Sequence, residues 1–222
     1  MGSLFKWIFG KEDPNYTLPE RSLNDLKSIT NILFIDDDPD FKVVDILKSS
    51  GWMNTNLITD VESLDSTDIR ESHIIFVDIQ GVGKELKFED EGLGLVSALR
   101  EKYPTKKLVV YSAEPTGNRF HDGLSRADET LRKNADPYQF QAIVEDFSQE
   151  AFSLRECVRR LKTKLQNEFN VYKSEEEIVT ALKKLGEKGK YTEKSVSEVL
   201  NIQNAGSVAS IISVFMSGGT TG

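Results

Sequence analysis

One cysteine, two histidines and no uninterrupted apolar run of eighteen residues are what this 222-residue chain has least of, and each shortage closes a class of function. Cys157 alone can form neither an intramolecular disulfide nor a thiolate metal cluster, a usage that fits a reducing cytoplasm. His73 and His121 show no metal-type spacing and are read as structural or surface residues. Without a long apolar run there is no spanning helix. The first residues also lack a long apolar stretch followed by a small-residue cleavage site, so secretion is not expected and a soluble cytoplasmic protein is. The excess of 36 acidic over 28 basic side chains, a formal charge of -8, sets the molecule as a whole against electrostatic binding of nucleic acid.

The length allows one sizeable core and a second small one. Ahead of the first core, Leu4-Phe5-Lys6-Trp7-Ile8-Phe9 forms a compact apolar cluster before Gly10. Two readings of it stay open: an arm packing on its own protein or on a dimer mate, and docking on a membrane interface or a partner. Lys6 stands where the N-myristoylation pattern asks for Ser or Thr. Residues 11–30 turn polar, with Pro14 and Pro19, and read as a linker with a helical turn from Leu23 to Ile29. Residues 1–30 are thus an arm and linker.

After the linker, short apolar runs alternate with amphipathic stretches. Ile32-Leu33-Phe34-Ile35 ends in Asp36-Asp37-Asp38-Pro39, and Phe41, Val44 and Leu47 then carry helical spacing up to Gly51. A weaker strand follows around Asn56-Leu57-Ile58. Ile74-Ile75-Phe76-Val77 ends in Asp78, and Leu93, Val96 and Leu99 mark the next helix. Leu108-Val109-Val110-Tyr111 ends in Ser112, and a last strand from Glu129 to Arg132 ends at Lys133. Continuous apolar strands are those buried on both faces, so the pattern predicts right-handed βαβ units in the α/β class, with a parallel sheet covered by helices.

In such sheets ligands bind at the carboxyl ends of the strands, near the point where strand order reverses. That is where Asp36, Asp37, Asp78, Ser112 and Lys133 fall. Three carboxylates gathered at one edge repel one another unless a cation neutralises them. A hard divalent ion with oxygen ligands, Mg²⁺ before Ca²⁺, answers that need. An ion held by two or three carboxylates keeps open positions for phosphoryl oxygens. Asp78, central on its strand, is then the candidate nucleophile for an acyl phosphate. Lys133 supplies a point charge and Ser112 a hydroxyl to the transferred group. Asp38 is read as the N-cap of the following helix.

These segments, together with Gly92-Leu93-Gly94-Leu95, Ser112-Ala113-Glu114 and Leu131-Arg132-Lys133, resemble the receiver domain of two-component response regulators over about residues 31–147. The resemblance implies a flavodoxin-like sheet of five parallel strands with five helices. It implies phosphorylation of Asp78 by a histidine kinase or phosphotransfer protein. It also implies direct Mg²⁺ ligation by Asp37, Asp78 and the Gln80 carbonyl, with Asp36 acting through water. The chain departs from the family pattern at Gly81 and Val82, where Met-Pro is usual, in a longer loop from Gln80 to Glu91, at Asn134 in place of Pro, and at Thr130 in place of a switching aromatic. These departures leave a second function open, a phosphorylation-independent receiver-like interaction scaffold.

From Tyr138 no breaker interrupts some thirty residues, and Phe140, Val144, Phe147, Ala151, Leu154, Val158, Leu161 and Leu165 keep a heptad. The spacing predicts one continuous helix, whose extension over residues 148–170 forms a parallel coiled-coil homodimer. Residues 171–222 read as a small output or interaction module of three helices. The first opens on a Ser174/Glu177 capping box and stops at Gly186, the second starts near Thr192, and the third spans Ala205 to Met216. The last two are similar to a helix-turn-helix, the basis of a third reading as a DNA-binding regulator. The would-be recognition helix has no Lys, Arg, Asn or Gln, and the module's lysines are balanced by six glutamates from Glu175 to Glu198. A downstream protein partner is expected there before DNA.

Overall fold

A computed structural model describes residues 18, 21–113 and 125–216. The N-terminal apolar cluster, His121, Glu114 and the residues after Met216 lie outside them. The chain divides into a unit spanning Arg21–Phe152 and a second unit that includes Ser153–Gly222.

The first unit is built on five parallel strands: β1 (Ile32–Ile35), β2 (Thr55–Ile58), β3 (Ile74–Asp78), β4 (Lys107–Ser112) and β5 (Glu129–Arg132). Their order is β2-β1-β3-β4-β5. This is the flavodoxin-like order of the doubly wound α/β class, with the switch point between β1 and β3. Helices α1 (Leu23–Ile29), α2 (Val43–Ser49), α3 (Thr67–Glu71), α4 (Glu91–Lys102) and α5 (Pro137–Ala151) flank it. The apolar runs of β1 and β3 are buried at every position, as strands covered on both sides must be. Side chains alternate along a strand, so the two faces differ in content. Phe34, Phe76 and Tyr111 share one face with Phe140 of α5. Leu33, Ile35, Ile75, Val77, Leu108 and Val110 share the other with Leu95, Val96 and Leu99 of α4.

Three local expectations are corrected. Asp38 does not cap α2: the N-cap position is Lys42, without a side-chain bond, and Asp38 closes a turn by accepting the Asp40 N–H at 3.0 Å. The helix after Ser174 runs past Gly186 to Lys188 and ends on Gly189, whose left-handed backbone is the one a helix C-terminus favours. The continuous helix from Tyr138 is two helices. The first ends at Ala151. Phe152 then packs against the His73 ring, 4.9 Å between centroids, and Ser153 opens a new helix by accepting the Glu156 N–H at 3.3 Å. Ser153 and Glu156 carry a helix-start signal that the heptad spacing hides.

The second unit packs α6 (Leu154–Phe169), α7 (Glu175–Lys188), α8 (Glu193–Leu200) and α9 (Gly206–Met216) together. Val158, Leu161 and Leu165, assigned above to a dimer seam, are buried inside this unit, where α6 lies against α7 and α9. The apolar stripe therefore serves an intramolecular bundle. The Ser174/Glu177 capping box and the Thr192 cap stand where the sequence places them.

Cys157 is buried on α6, and burial pushes its thiol up to about 12. Only the thiolate reacts readily. Alkylation of the native protein at neutral pH is therefore expected to run at least about 100-fold slower than after denaturation. Mass spectrometry of iodoacetamide-treated samples checks this, and equal rates would show an accessible thiol.

No helix among the described residues is long and apolar enough to cross a membrane.

Candidate functional site

The site grows out of the sheet's alternation. Asp36 and Asp78 each follow a buried phenylalanine by two residues, so both carboxylates emerge on the aromatic face at the carboxyl ends of β1 and β3. These strands flank the switch point. Asp37, one residue on, is exposed, whereas Asp36 and Asp78 are buried. Each of the three offers a carboxylate oxygen within 4.8 Å of the others.

Lys133 answers the two buried charges. Its ammonium donates to Asp36 Oδ1 at 2.8 Å and to Asp78 Oδ2 at 2.5 Å. Its side chain is 23% exposed, against 0% for Asp36 and 4% for Asp78. The backbone sets it there: β5 pairs with β4, and the Lys133 N–H donates to the Ser112 carbonyl at 2.7 Å. Asn134 in place of proline does not turn the lysine away. Burial works against its charge, but the bonds and charges of Asp36 and Asp78 outweigh it and hold its pKa above the usual lysine value. For Asp78 the balance runs the other way. Burial raises its carboxyl above the ordinary range, opposed by the Lys133 hydrogen bond and charge and helped by the negative Asp36.

Ser112 is buried at the end of β4 and joins the cluster through its carbonyl. Gln80 stands two residues beyond Asp78 and donates its N–H to Asp78 Oδ1 at 3.3 Å. Gly81 follows with φ +85, and a Cβ there would overlap the Asp37 carboxylate, so glycine is what lets this turn lie against it. At the start of α4, Gly92 packs so closely on the Asp78 carbonyl that a Cβ would overlap it. The long loop of residues 80–91 is folded rather than loose. Gly81 N–H donates to Glu91 at 2.7 Å, Gly83 and Glu85 N–H donate to the two Asp60 oxygens at 2.5 and 3.0 Å, and Val82 is fully buried.

Asp60 and Tyr111 are the participants that sequence reasoning missed. No pattern marks Asp60, one of several acids after a short edge strand. Tyr111 reads as one more apolar residue of its strand, yet its hydroxyl donates to Asp36 Oδ2 at 2.7 Å. Burial first, and the charge of Asp36 next, push that hydroxyl's pKa well above its usual value, so it stays a donor.

The residues present fit a hard divalent cation. Asp37 and Asp78 offer oxygen ligands on either side of the switch point, and Asp37 is exposed, with the glycine turn lying against its carboxylate. Asp36 is placed differently: it has no exposure and takes three protein donors, the Tyr111 hydroxyl among them, where Asp78 takes two. His73 accepts the Asn31 N–H and is a structural residue, as its lack of metal spacing suggested.

No family model matches the chain, and no curated protein does. Solved structures similar to it include response-regulator receiver domains. A CheY-like receiver domain protein from Methanospirillum hungatei JF-1 is 16% identical over 55% of this chain and 95% of that one, with a TM-score of 0.45. The receiver domain of NtrX from Brucella abortus is 23% identical over 54% of this chain and 98% of that one, with a TM-score of 0.43. A response regulator from Burkholderia pseudomallei, whose structure carries a phosphorylated aspartic acid, a calcium ion and citrate, is 19% identical over 78% and 92%, with a TM-score of 0.42.

Proposed function

We propose that the Arg21–Phe152 unit is a response-regulator receiver whose Asp78 accepts a phosphoryl group, and that the helical unit is the output it serves. One observation carries this reading: a buried carboxylate at the carboxyl end of the central strand, bonded to a lysine and within ligand distance of two further carboxylates. An Asp78 oxygen attacks the donor's phosphorus, a new P–O bond forms, and the bond to the donor breaks with its electron pair leaving on the donor. The product is an acyl phosphate. A bound Mg²⁺ supplies charge neutralisation for the phosphoryl oxygens.

The chain's own residues divide the remaining work. Asp37, Asp78 and the Gln80 carbonyl are the proposed ligands, and Asp36 acts through water. Lys133 is already poised on Asp78 and moves its donors to a phosphoryl oxygen. Ser112 donates its hydroxyl to another. A histidine kinase or phosphotransfer protein is the proposed donor. A coiled-coil dimer does not belong to this reading, because its seam lies inside the helical unit. DNA binding does not either, since α9 carries no Lys, Arg, Asn or Gln.

A second reading, a scaffold that acts without phosphorylation, draws on the same lysine. With Lys133 bridging Asp36 and Asp78, the site neutralises itself without metal or phosphate. Incubation with Mg²⁺ and acetyl phosphate separates the two. The receiver gains the intact mass of one phosphoryl group, and omission of Mg²⁺ abolishes the gain. No gain under either condition leaves the scaffold.

A further inference from the structure

We propose that Tyr111 is a positioning residue that keeps Asp36 bonded to the protein, so that a divalent cation is held through Asp37 and Asp78; this rests on the metal site proposed above. Tyr111 lies at the end of β4, in register with Asp78 and fully buried. Its ring has no freedom to leave. It stacks on Phe41 with centroids 5.3 Å apart and meets Phe140 and Phe34 edge-on at 6.0 and 6.1 Å. The packing aims the hydroxyl at one atom, Asp36 Oδ2, at 2.7 Å. The other oxygen, Oδ1, accepts from Lys133 at 2.8 Å and from the Asp38 N–H at 2.9 Å. Three donors thus divide the two oxygens of a carboxylate that has no exposure to water.

The contrast with Asp37 gives this arrangement a consequence. Asp37 is exposed and sits against a glycine turn. Asp36 has its negative charge partly satisfied by a hydroxyl that cannot move without disturbing the aromatic cluster. An O–H bond to a carboxylate lowers what a cation gains from that oxygen, because both draw on the same charge. Tyr111 is therefore a competitor of the metal for Asp36, built into the strand beneath it. Its hydroxyl stabilises the metal-free site and weakens Mg²⁺ binding by the same coupling, since linkage is reciprocal.

The test removes the hydroxyl and keeps the ring. Tyr111→Phe preserves the packing with Phe41, Phe34 and Phe140, and Mg²⁺ binding to the full chain is followed by calorimetry at neutral pH. The dissociation constant is expected to tighten by roughly five-fold, the share of a charged hydrogen bond that an added cation recovers. Tyr103→Phe is the control. It removes a hydroxyl that bonds the Leu64 carbonyl, outside the carboxylate cluster, and is expected to leave Mg²⁺ affinity unchanged. A purely structural Tyr111 would lower melting temperature without shifting Mg²⁺ affinity, and equal affinities in wild type and Tyr111→Phe overturn the role of Tyr111 alone. Weaker binding overturns it as well, since the hydroxyl would then support the metal. If neither protein binds Mg²⁺, the metal reading falls and takes this inference with it.

Discussion

Lys133→Met is expected to cost the Arg21–Phe152 unit about 3 kcal/mol, near the low end for breaking a buried ion pair because the lysine is partly exposed. For a unit of this size that is a fall in melting temperature of roughly 10 °C. Methionine keeps the length and apolar stem of the side chain, so packing over the Phe41 ring, where the ammonium now lies 5.7 Å from the centroid, is largely retained. What is lost is the cation shared by Asp36 and Asp78. Two buried carboxylates are then left with a tyrosine hydroxyl and backbone N–H groups for company. Mg²⁺ offers a replacement charge, so the deficit is expected to shrink at saturating Mg²⁺. Melting curves with and without the ion check both statements. A loss under about 1 kcal/mol would place this pair among ordinary surface bridges.

Asp78→Asn is expected to abolish phosphoryl uptake while raising the melting temperature of the metal-free protein. The first part follows from chemistry, since an amide oxygen is no nucleophile for phosphorus under conditions where a carboxylate is. The second follows from the direction of the Asp78 shift. Its folded pKa is raised, so the group contributes stability below the ordinary carboxylate range and loses that contribution as pH rises through the folded value. At neutral pH the ionised side chain opposes folding, and asparagine removes that opposition without changing shape. Mg²⁺ is expected to stabilise the wild type more than this variant, because the ion binds the carboxylate and not the amide. A variant that melts lower than wild type without metal would mean that the Lys133 bond outweighs burial.

The fold was legible because β1, β3 and the Leu108–Tyr111 stretch of β4 are apolar runs that end in chemistry. Ile32 to Ile35 and Ile74 to Val77 could only be doubly covered strands, and the acids after them mark the carboxyl edge. Asp36, Asp37, Asp78 and Lys133 come together as their strand-end positions implied. The misses have physical causes of a different kind. The five residues of α3 contain one buried apolar side chain, Ile69, too few for any period. The heptad through Ala151 and Leu154 bridged two helices in phase, so periodicity overruled the cap at Ser153. Tyr111 could not be assigned to the site from its strand, because which polar atom a buried tyrosine reaches depends on the neighbouring strand's register. Asp60 meets loop 80–91 through backbone N–H groups, which carry no sequence signature.

If Asp78 takes up a phosphoryl group, the group can be located on that residue by chemical reduction. After treatment with Mg²⁺ and acetyl phosphate, borohydride reduction converts an acyl-phosphate-bearing aspartate to homoserine, and peptide mass spectrometry finds the residue changed. Conversion is expected at Asp78 alone, dependent on Mg²⁺ and absent in Asp78→Asn. Conversion at another acid, or none in a folded protein that binds Mg²⁺, would contradict phosphorylation of Asp78.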